Sequence, residues 1–188
     1  ADTPHLKHDH VDFVLDSGKV LRFHDPRRFG SILWVGEDAA NSKLLKNLGP
    51  EPFDETLTAV ALYRVSRGRK TSIKQFIMDG RVIVGVGNIY ASEALFRAKI
   101  RPGRAAGRVT LSRFGQLLDA IRQVLSEAIK AGGTTLRDYS RFTGEPGYFE
   151  QSLDVYERAG QPCVNCATVI RRKVIGQRAS YYCPRCQI

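Results

Sequence analysis

The chain has 188 residues, with 29 Lys and Arg against 19 Asp and Glu, a formal net charge of +10 at pH 7 and four cysteines. That length suits one large or two small domains with real apolar cores, and no run of about 18 or more apolar residues is present, which excludes a membrane-spanning helix. Residues 1–7 are polar and carry no signal-peptide pattern, so a cytoplasmic protein with no membrane partner is expected. The excess of Lys and Arg is the electrostatic footprint of a polyanion-binding protein, with a merely soluble basic protein or a binder of anionic membrane surfaces as the plainer readings.

In chain order, Val11, Phe13 and Leu15 alternate with Asp12 and Val14, which predicts a strand. Asp16-Ser17-Gly18 reads as a turn, and Val20, Leu21 and Phe23 mark a second strand. After Asp25-Pro26-Arg27-Arg28-Phe29-Gly30, residues 31–35 read as a third strand. Three strands leave exposed edges and little to pack against, so the chain is expected to begin inside a β-structure whose earlier strands lie outside it. A short helix is expected over 37–47, and Gly49-Pro50-Glu51-Pro52 is the expected domain boundary.

Beyond that boundary the period becomes helical. Asp54 is placed to cap a helix through Leu57, Val60, Ala61 and Val65. Ile73, Phe76 and Ile77 mark a second helix ending near Asp79-Gly80. Gly85-Val86-Gly87-Asn88 reads as a tight turn, with Asn88 placed to cap a helix over 89–98. Thr110 caps the longest helix, whose apolar face is Leu111, Phe114, Leu117, Leu118, Ile121, Leu125 and Ile129, and Gly132-Gly133 end it. A polar loop is expected over 142–147, and residues 153–156 lead into the tail. There is no internal repeat or low-complexity tract.

All four cysteines stand in that tail, as Cys163-Val164-Asn165-Cys166 and Cys183-Pro184-Arg185-Cys186, sixteen residues apart. Two residues between cysteines let both sulfurs of one knuckle face a single point, and two knuckles supply four thiolates, the arrangement of one structural zinc. Two disulfides need an oxidising compartment, and a single redox dithiol leaves the second pair unexplained. Residues 168–170 and 179–182 are expected to form a hairpin around a basic, Gly-containing turn over 173–178. A tail of about 35 residues has too little core to fold alone, so metal binding supplies its folding energy.

Several basic constellations have two readings each. Gly85-Val86-Gly87-Asn88-Ile89 is neither a dinucleotide fingerprint nor a P-loop. Its glycines and the free amides of the following helix suit a phosphate, or else form an ordinary packing corner with Asn88 as a cap. Arg64, Arg67, Arg69, Lys70 and Lys74 stand nearby in sequence, as basic neighbours of that seat or as a solvated face. In Arg27-Arg28-Phe29-Gly30, an arginine can read a base edge and Phe29 can wedge between base steps. Alternatively Phe29 is core and one arginine pairs with Asp25. His5, His8, His10 and His24 include no well-spaced third ligand, so a second metal site is not expected.

With these residues in view, the chain resembles the bacterial formamidopyrimidine-DNA glycosylase family over its C-terminal two-thirds. The resemblance rests on His8-Asp9-His10, Asp25 to Gly30, Leu48-Gly49-Pro50-Glu51-Pro52 and the run Gly85-Val86-Gly87-Asn88-Ile89-Tyr90-Ala91-Ser92-Glu93. It continues through Gly132-Gly133-Thr134-Thr135-Leu136, Pro146-Gly147-Tyr148-Phe149 and Gln177-Arg178-Ala179 to the last cysteine pair. It implies an α+β fold: the C-terminal strands of an incomplete β-sandwich (1–48), a helix-two-turns-helix DNA-binding domain (49–150) and a four-cysteine zinc-finger hairpin (151–188).

The resemblance further implies a bifunctional DNA glycosylase/AP lyase acting as a monomer on double-stranded DNA. Such an enzyme removes oxidised purines such as 8-oxoguanine and formamidopyrimidines, then nicks the abasic site by β,δ-elimination after flipping the damaged nucleotide out. On that reading Arg27 faces the orphaned cytosine and Phe29 fills the stack. His8, Arg69 and Asn88 hold phosphates, Lys74 lies near the lesion pocket, the loop from Phe142 to Phe149 covers the flipped base, and Arg178 grips a phosphate and serves δ-elimination. Zinc at Cys163, Cys166, Cys183 and Cys186 is scaffolding.

The family's N-terminal proline nucleophile, the glutamate after it and the assisting lysine have no match here, since the chain opens Ala1-Asp2-Thr3-Pro4. Base excision by these 188 residues alone is therefore not expected. The alternatives are a non-catalytic zinc-dependent DNA-binding module, a piece of the sister endonuclease VIII family, and a zinc-stabilised RNA-binding protein.

Overall fold

The structure, a computed structural model, describes residues 4–37, 42–133 and 153–188. The expectations for 142–147, for Thr134-Thr135-Leu136 and for Pro146-Gly147-Tyr148-Phe149 lie outside the described residues. Backbone contacts divide the chain into two units, Ala1–Ser42 and Lys43–Ile188. The described elements form an α+β fold with two small antiparallel sheets and four helices.

In the first unit, β1 (Asp9–Val14) pairs antiparallel with β2 (Val20–His24), and Leu15 and Lys19 close the turn between them. The register shifts between Asp9 and Val11, so His10 is an extra residue in β1 and Asp9 faces His24. The Arg22 guanidinium grips Asp12 across the strands with two bonds of 2.8 and 3.0 Å. His24 Nδ1 lies 2.7 Å from Asp9. The Arg22 bonds hold the Asp12 carboxyl below its usual range, and the Leu6 N–H followed by His24 does the same for Asp9.

Two expectations fail, one in this unit and one where the second begins. Residues 31–35 form no strand, and Trp34 is 97% exposed. An apolar run becomes a strand only where a neighbour takes its N–H and C=O groups, and among the described residues none does. Residues 42–47 form turns instead of the helix expected over 37–47, of which 38–41 lie outside the description. Leu44 and Leu45 are exposed there, so no packing offsets the cost of nucleating so short a helix.

In the second unit the Gly-Pro segment lies against a neighbouring loop. Gly49 N–H bonds Gly80 O at 2.8 Å and Val84 N–H bonds Pro50 O at 3.2 Å. A Cβ on Gly49 would stand 2.7 Å from the Val82 carbonyl carbon, so only glycine permits this approach. Helix α1 (Ala59–Ser66) is capped by Thr58, whose side chain accepts the Ala61 N–H, and not by Asp54. Asp54 instead closes a turn on Thr56, accepting its N–H at 2.8 Å and its hydroxyl at 2.7 Å. A carboxylate satisfied so close by is unavailable to a helix starting five residues later.

Ser72 caps α2 (Ile73–Ile77) through the Gln75 N–H. Helix α3 (Asn88–Arg97) has Gly87 as its cap and Asn88 as its first residue, which corrects the expected capping role of Asn88. Thr110 caps α4 (Leu111–Lys130) as expected. Gly132 N–H bonds Ile129 O and Gly133 N–H bonds Ala128 O, the paired bonds of a left-handed helix ending. Leu111 and Ile129, expected on the apolar face, are exposed at the helix ends, and Val124 and Ala128 complete the buried stripe.

Two cores result. The larger packs Ile73, Ile77, Leu95, Phe114, Leu117 and Ile121 between the helices, and Arg122 draws the preceding loop onto it through the carbonyls of Pro52, Asp54 and Leu57. The smaller gathers Val155, Cys163, Ile170, Tyr181 and Cys183 around Phe96. Phe96 comes from α3, so that helix belongs to both. Among the described residues no helix is long and apolar enough to cross a membrane.

Candidate nucleic-acid interface

The cysteine knuckles meet as expected. All four sulfurs lie within 4.8 Å of one another, with Cys163–Cys186 at 3.9, Cys166–Cys183 at 3.5 and Cys166–Cys186 at 3.4 Å. A metal about 2.3 Å from each of four sulfurs sets them about 3.8 Å apart in a tetrahedron, so the cage has the size and the soft donors for zinc. Separations this far beyond a bonded sulfur pair, with every cysteine free, are not those of disulfides. The Asn165 and Cys186 N–H groups point at Cys163 Sγ and Cys183 Sγ, the backbone support that thiolates need.

A residue the sequence reading overlooked ties this cage to the helices. Gln187 is fully buried, accepts the Cys183 N–H at 2.8 Å and donates to Ile100 O at 2.9 Å. Its signal was slight: a polar residue just after the last cysteine.

The hairpin between the knuckles runs β3 (Arg171–Ile175) to β4 (Arg178–Tyr182), five residues each, so the first strand begins after 168–170 and the turn shrinks to Gly176-Gln177. Both turn residues have positive φ, +57° and +62°, the pattern of a two-residue turn matched to strand twist. A short turn holds register tightly, and it sets Arg178 opposite Ile175 at the first position of β4, exposed. Val169, expected in the strand, bridges Pro162 instead.

Lys74 is not presented at the surface. It is 1% exposed, and its ammonium donates to Ala179 O at 3.0 Å and Ser180 Oγ at 2.8 Å on β4. Burial, then the nearby Arg178 charge, brings its pKa down to about 8. Asn88 is half-buried at the start of α3, where its Nδ2 donates to Tyr156 Oη at 3.3 Å and its buried Oδ1 has no partner among the described residues. The Tyr156 ring meets Tyr181 of β4 edge-on, with centroids 5.0 Å apart, and burial raises its phenol while Arg178 lowers it. Lys74, Arg178, Tyr156 and Asn88 therefore form one neighbourhood.

Glu93 holds that neighbourhood together from below and was missed as a functional residue. It is fully buried on α3 and accepts the N–H groups of Asp154, Val155 and Tyr156 at 2.9, 3.0 and 2.9 Å. Burial raises its pKa, and the three donors pull it back. The clue was a lone acid among Ala91, Ala94, Leu95 and Phe96.

Of the basic run, Arg67 is structural. It stacks on Tyr63 at 3.8 Å and donates to Tyr63 O, Ser66 Oγ and Val109 O. Arg69 is exposed, with Nε on Val65 O and its guanidinium 5.7 Å from the Phe76 ring.

In the first unit Asp25 shapes the Arg-Phe turn. Its carboxylate accepts Gly30 N–H at 2.7 Å and Arg27 N–H at 3.3 Å, which lowers its pKa, and Arg28 takes a positive φ of +54°. Phe29 is thrust outward, 82% exposed with the Arg27 guanidinium 5.4 Å from its ring, so it is not a core residue. His8 is half-buried, with its ring edge-on to His24 at 6.0 Å.

These features define a class: a basic helical fold with a four-thiolate finger docked on its third helix. Three family models match along the chain: the formamidopyrimidine-DNA glycosylase N-terminal domain over 1–32, its helix-two-turns-helix (H2TH) domain over 48–140, and the zinc finger found in FPG and IleRS over 160–188. The formamidopyrimidine-DNA glycosylase of Syntrophotalea carbinolica is 59% identical over 187 residues, covering 100% of this chain and 69% of its own length, and that of Alcanivorax borkumensis is 58% identical over 186, covering 99% and 69%. The chain belongs to the formamidopyrimidine-DNA glycosylase family. The crystal structure of MutM (FPG) from Thermus thermophilus superposes with a TM-score of 0.87 at 39% identity, covering 98% of this chain and 70% of that one. The Lactococcus lactis Fpg in complex with DNA containing an abasic site gives 0.88 at 32% identity, with coverage of 99% and 68%.

Proposed function

We propose that this chain carries the duplex-gripping part of a DNA glycosylase/AP lyase that removes oxidised purines and nicks the abasic site by β,δ-elimination. The observation that carries the reading is the convergence of exposed Arg178 with Asn88 and Tyr156 on one zinc-supported surface. Family membership and the lesion-containing DNA in the solved relatives support it. Zinc, held by Cys163, Cys166, Cys183 and Cys186, supplies rigidity and no chemistry.

On this proposal Arg178 and Asn88 hold phosphates next to the lesion, with Arg69 and His8 extending the grip. Phe29 fills the gap left by the flipped nucleotide and Arg27 faces the orphaned base. The organisation into 1–48, 49–150 and 151–188 and a monomeric state belong to the same proposal. So does a bacterial cytoplasmic location on the nucleoid, for which the reduced thiolate cage and the bacterial relatives are the support.

The test is a titration of the chain with duplexes carrying an abasic-site analogue, 8-oxoguanine opposite cytosine, or no damage, and with an RNA duplex at matched salt. Tightest binding to the abasic analogue is expected. Equal affinity for all four would sink the damage-specific reading and leave a general polyanion binder.

A further inference from the structure

Lys74 and Arg178 carry an inference beyond their proximity. The base of Lys74 is fixed, because the Ile73 and Lys74 N–H groups bond Arg104 O and Pro102 O at 2.7 and 3.2 Å while Ser72 bridges Ala105. From there the side chain reaches across the chain to the root of β4. Its ammonium takes Ala179 O directly, and through Ser180 Oγ, which lies 3.4 Å from Arg178 O, it reaches the carbonyl of Arg178 as well. The neighbouring residue makes a second contact: a Cβ on Gly176 would stand 2.6 Å from Gln75 Nε2. Two consecutive residues of α2 therefore meet the hairpin, one at the turn and one at the start of its second strand. The knuckles secure its other end, since Cys183 directly follows β4.

Burying an ammonium is costly unless its protons are taken up by oxygen. A methionine would fill the same space without that cost. What the ammonium adds is direction, through one bond to the Ala179 carbonyl and a second to Ser180 Oγ, which in turn faces the Arg178 carbonyl.

We propose that Lys74 is a positioning residue that sets the reach of Arg178 toward a DNA phosphate, acting through the backbone of β4 and touching no DNA itself. This rests on the reading above that Arg178 grips a phosphate.

A double-mutant cycle tests it, using Lys74→Met, Arg178→Ala and both together in the 188-residue chain. The measurements are affinity for a duplex with an abasic-site analogue at several salt concentrations, zinc content, and amide exchange at 178–180 without DNA. Lys74→Met is expected to keep its zinc, to speed exchange at 178–180, and to weaken binding roughly tenfold, the scale of one charge-assisted hydrogen bond. In the Arg178→Ala background it is expected to add nothing, and the salt slope is expected to fall by about 0.9 in every variant, one phosphate's worth.

Additive losses with a double-variant slope lower by about 1.8 would mean that Lys74 meets a phosphate itself, which overturns the proposal. Unchanged exchange and affinity in Lys74→Met also overturn it. Should Lys74→Met lose zinc, Ser180→Ala removes one of the two acceptors, and additivity with Arg178→Ala there is equally fatal. A wild-type chain that does not bind the duplex, yet shows the exchange effect, separates the two ideas: hairpin docking by Lys74 stands while the DNA reading, and with it the aiming role, falls.

Discussion

Glu93 Oε1 accepts the backbone N–H of Val155 at 3.0 Å, from inside the protein and from a different part of the chain. The same oxygen takes Tyr156 N–H and the other takes Asp154 N–H, so one carboxylate gathers three successive amides. Helix α3 carries this clamp at its middle, Asn88 at its start, Phe96 in the zinc-side core, and Arg97 bonded to Glu127. A single rigid element thereby sets the distance between Asn88 and the finger that bears Arg178.

Glu93→Gln keeps one acceptor oxygen and turns the other into an NH₂ group. With Oε1 retained, that group faces the Asp154 N–H, donor against donor, in a buried site. A loss of about 1–3 kcal/mol is expected, the cost of an unsatisfied buried polar group. Denaturant melting of the zinc-loaded protein measures it, and a stability equal to wild type would show that the three amides are satisfied by other means.

Arg178→Ala is expected to weaken duplex binding and to lower the slope of log affinity against log salt by about 0.9, the share of one phosphate. Because the side chain is exposed at the hairpin turn, melting temperature and zinc content are expected to stay at wild-type values. Titrations at several salt concentrations decide it. A slope that does not move would remove Arg178 from the phosphate contacts.

Phe29→Ala separates a wedge from a packing residue. A ring that is 82% exposed buries little on folding, so stability is expected to change by less than about 0.5 kcal/mol. Binding to abasic-site duplex is expected to weaken by about 1–3 kcal/mol, the range measured for base–aromatic stacking. Calorimetric melting and a binding titration read the two effects separately, and a drop in stability without one in binding would reverse the assignment.

The zinc cage was legible because its determinants are local: Cys-x-x-Cys spacing forces each pair of sulfurs together, whatever surrounds them. Thr110 and the long helix were legible for the same reason, since cap and stripe lie within the segment. Residues 31–35 misled because a strand is a property of two segments, and an apolar run does not say whether its partner is present. Asp54 misled because a nearer turn claimed its carboxylate. Lys74 and Glu93 were opaque as placed groups, since their partners lie 105 and 62 residues away and only the packing of α2 and α3 against the finger brings them together. Phe29 lay between these cases, for its sequence permitted core or surface, and the Asp25 turn decides for surface.

Cys163→Ser and Cys186→Ser each remove one thiolate from a cage whose small core, a handful of buried residues around Phe96, cannot hold the tail alone. Each is expected to lower bound zinc below one per chain and to unfold the finger while the helical core persists, because that core has its own buried cluster. Metal analysis with far-UV dichroism follows both events. Full zinc occupancy in either variant would refute the four-thiolate assignment.

Lys74 gives the last expectation, a dependence on pH with a definite sign. Its pKa is about 8 in the folded chain against 10.5 for an exposed lysine. Between those values the unfolded chain holds a proton that the folded chain has released, so folding is favoured as pH rises through that window. Below about pH 8 both states carry the charge and the burial cost is felt in full; above about 10.5 neither does, and the gain levels off. The limiting change is about 3 kcal/mol, since each pKa unit corresponds to about 1.4 kcal/mol. Cysteine and tyrosine titrations overlap the same range, so the quantity to measure is the stability of wild type minus that of Lys74→Met by denaturant melting at pH 7.5 and pH 9.5. Wild type is expected to gain on the variant at the higher pH. A difference that stays constant, or moves the other way, would mean that the Lys74 ammonium is not buried in solution.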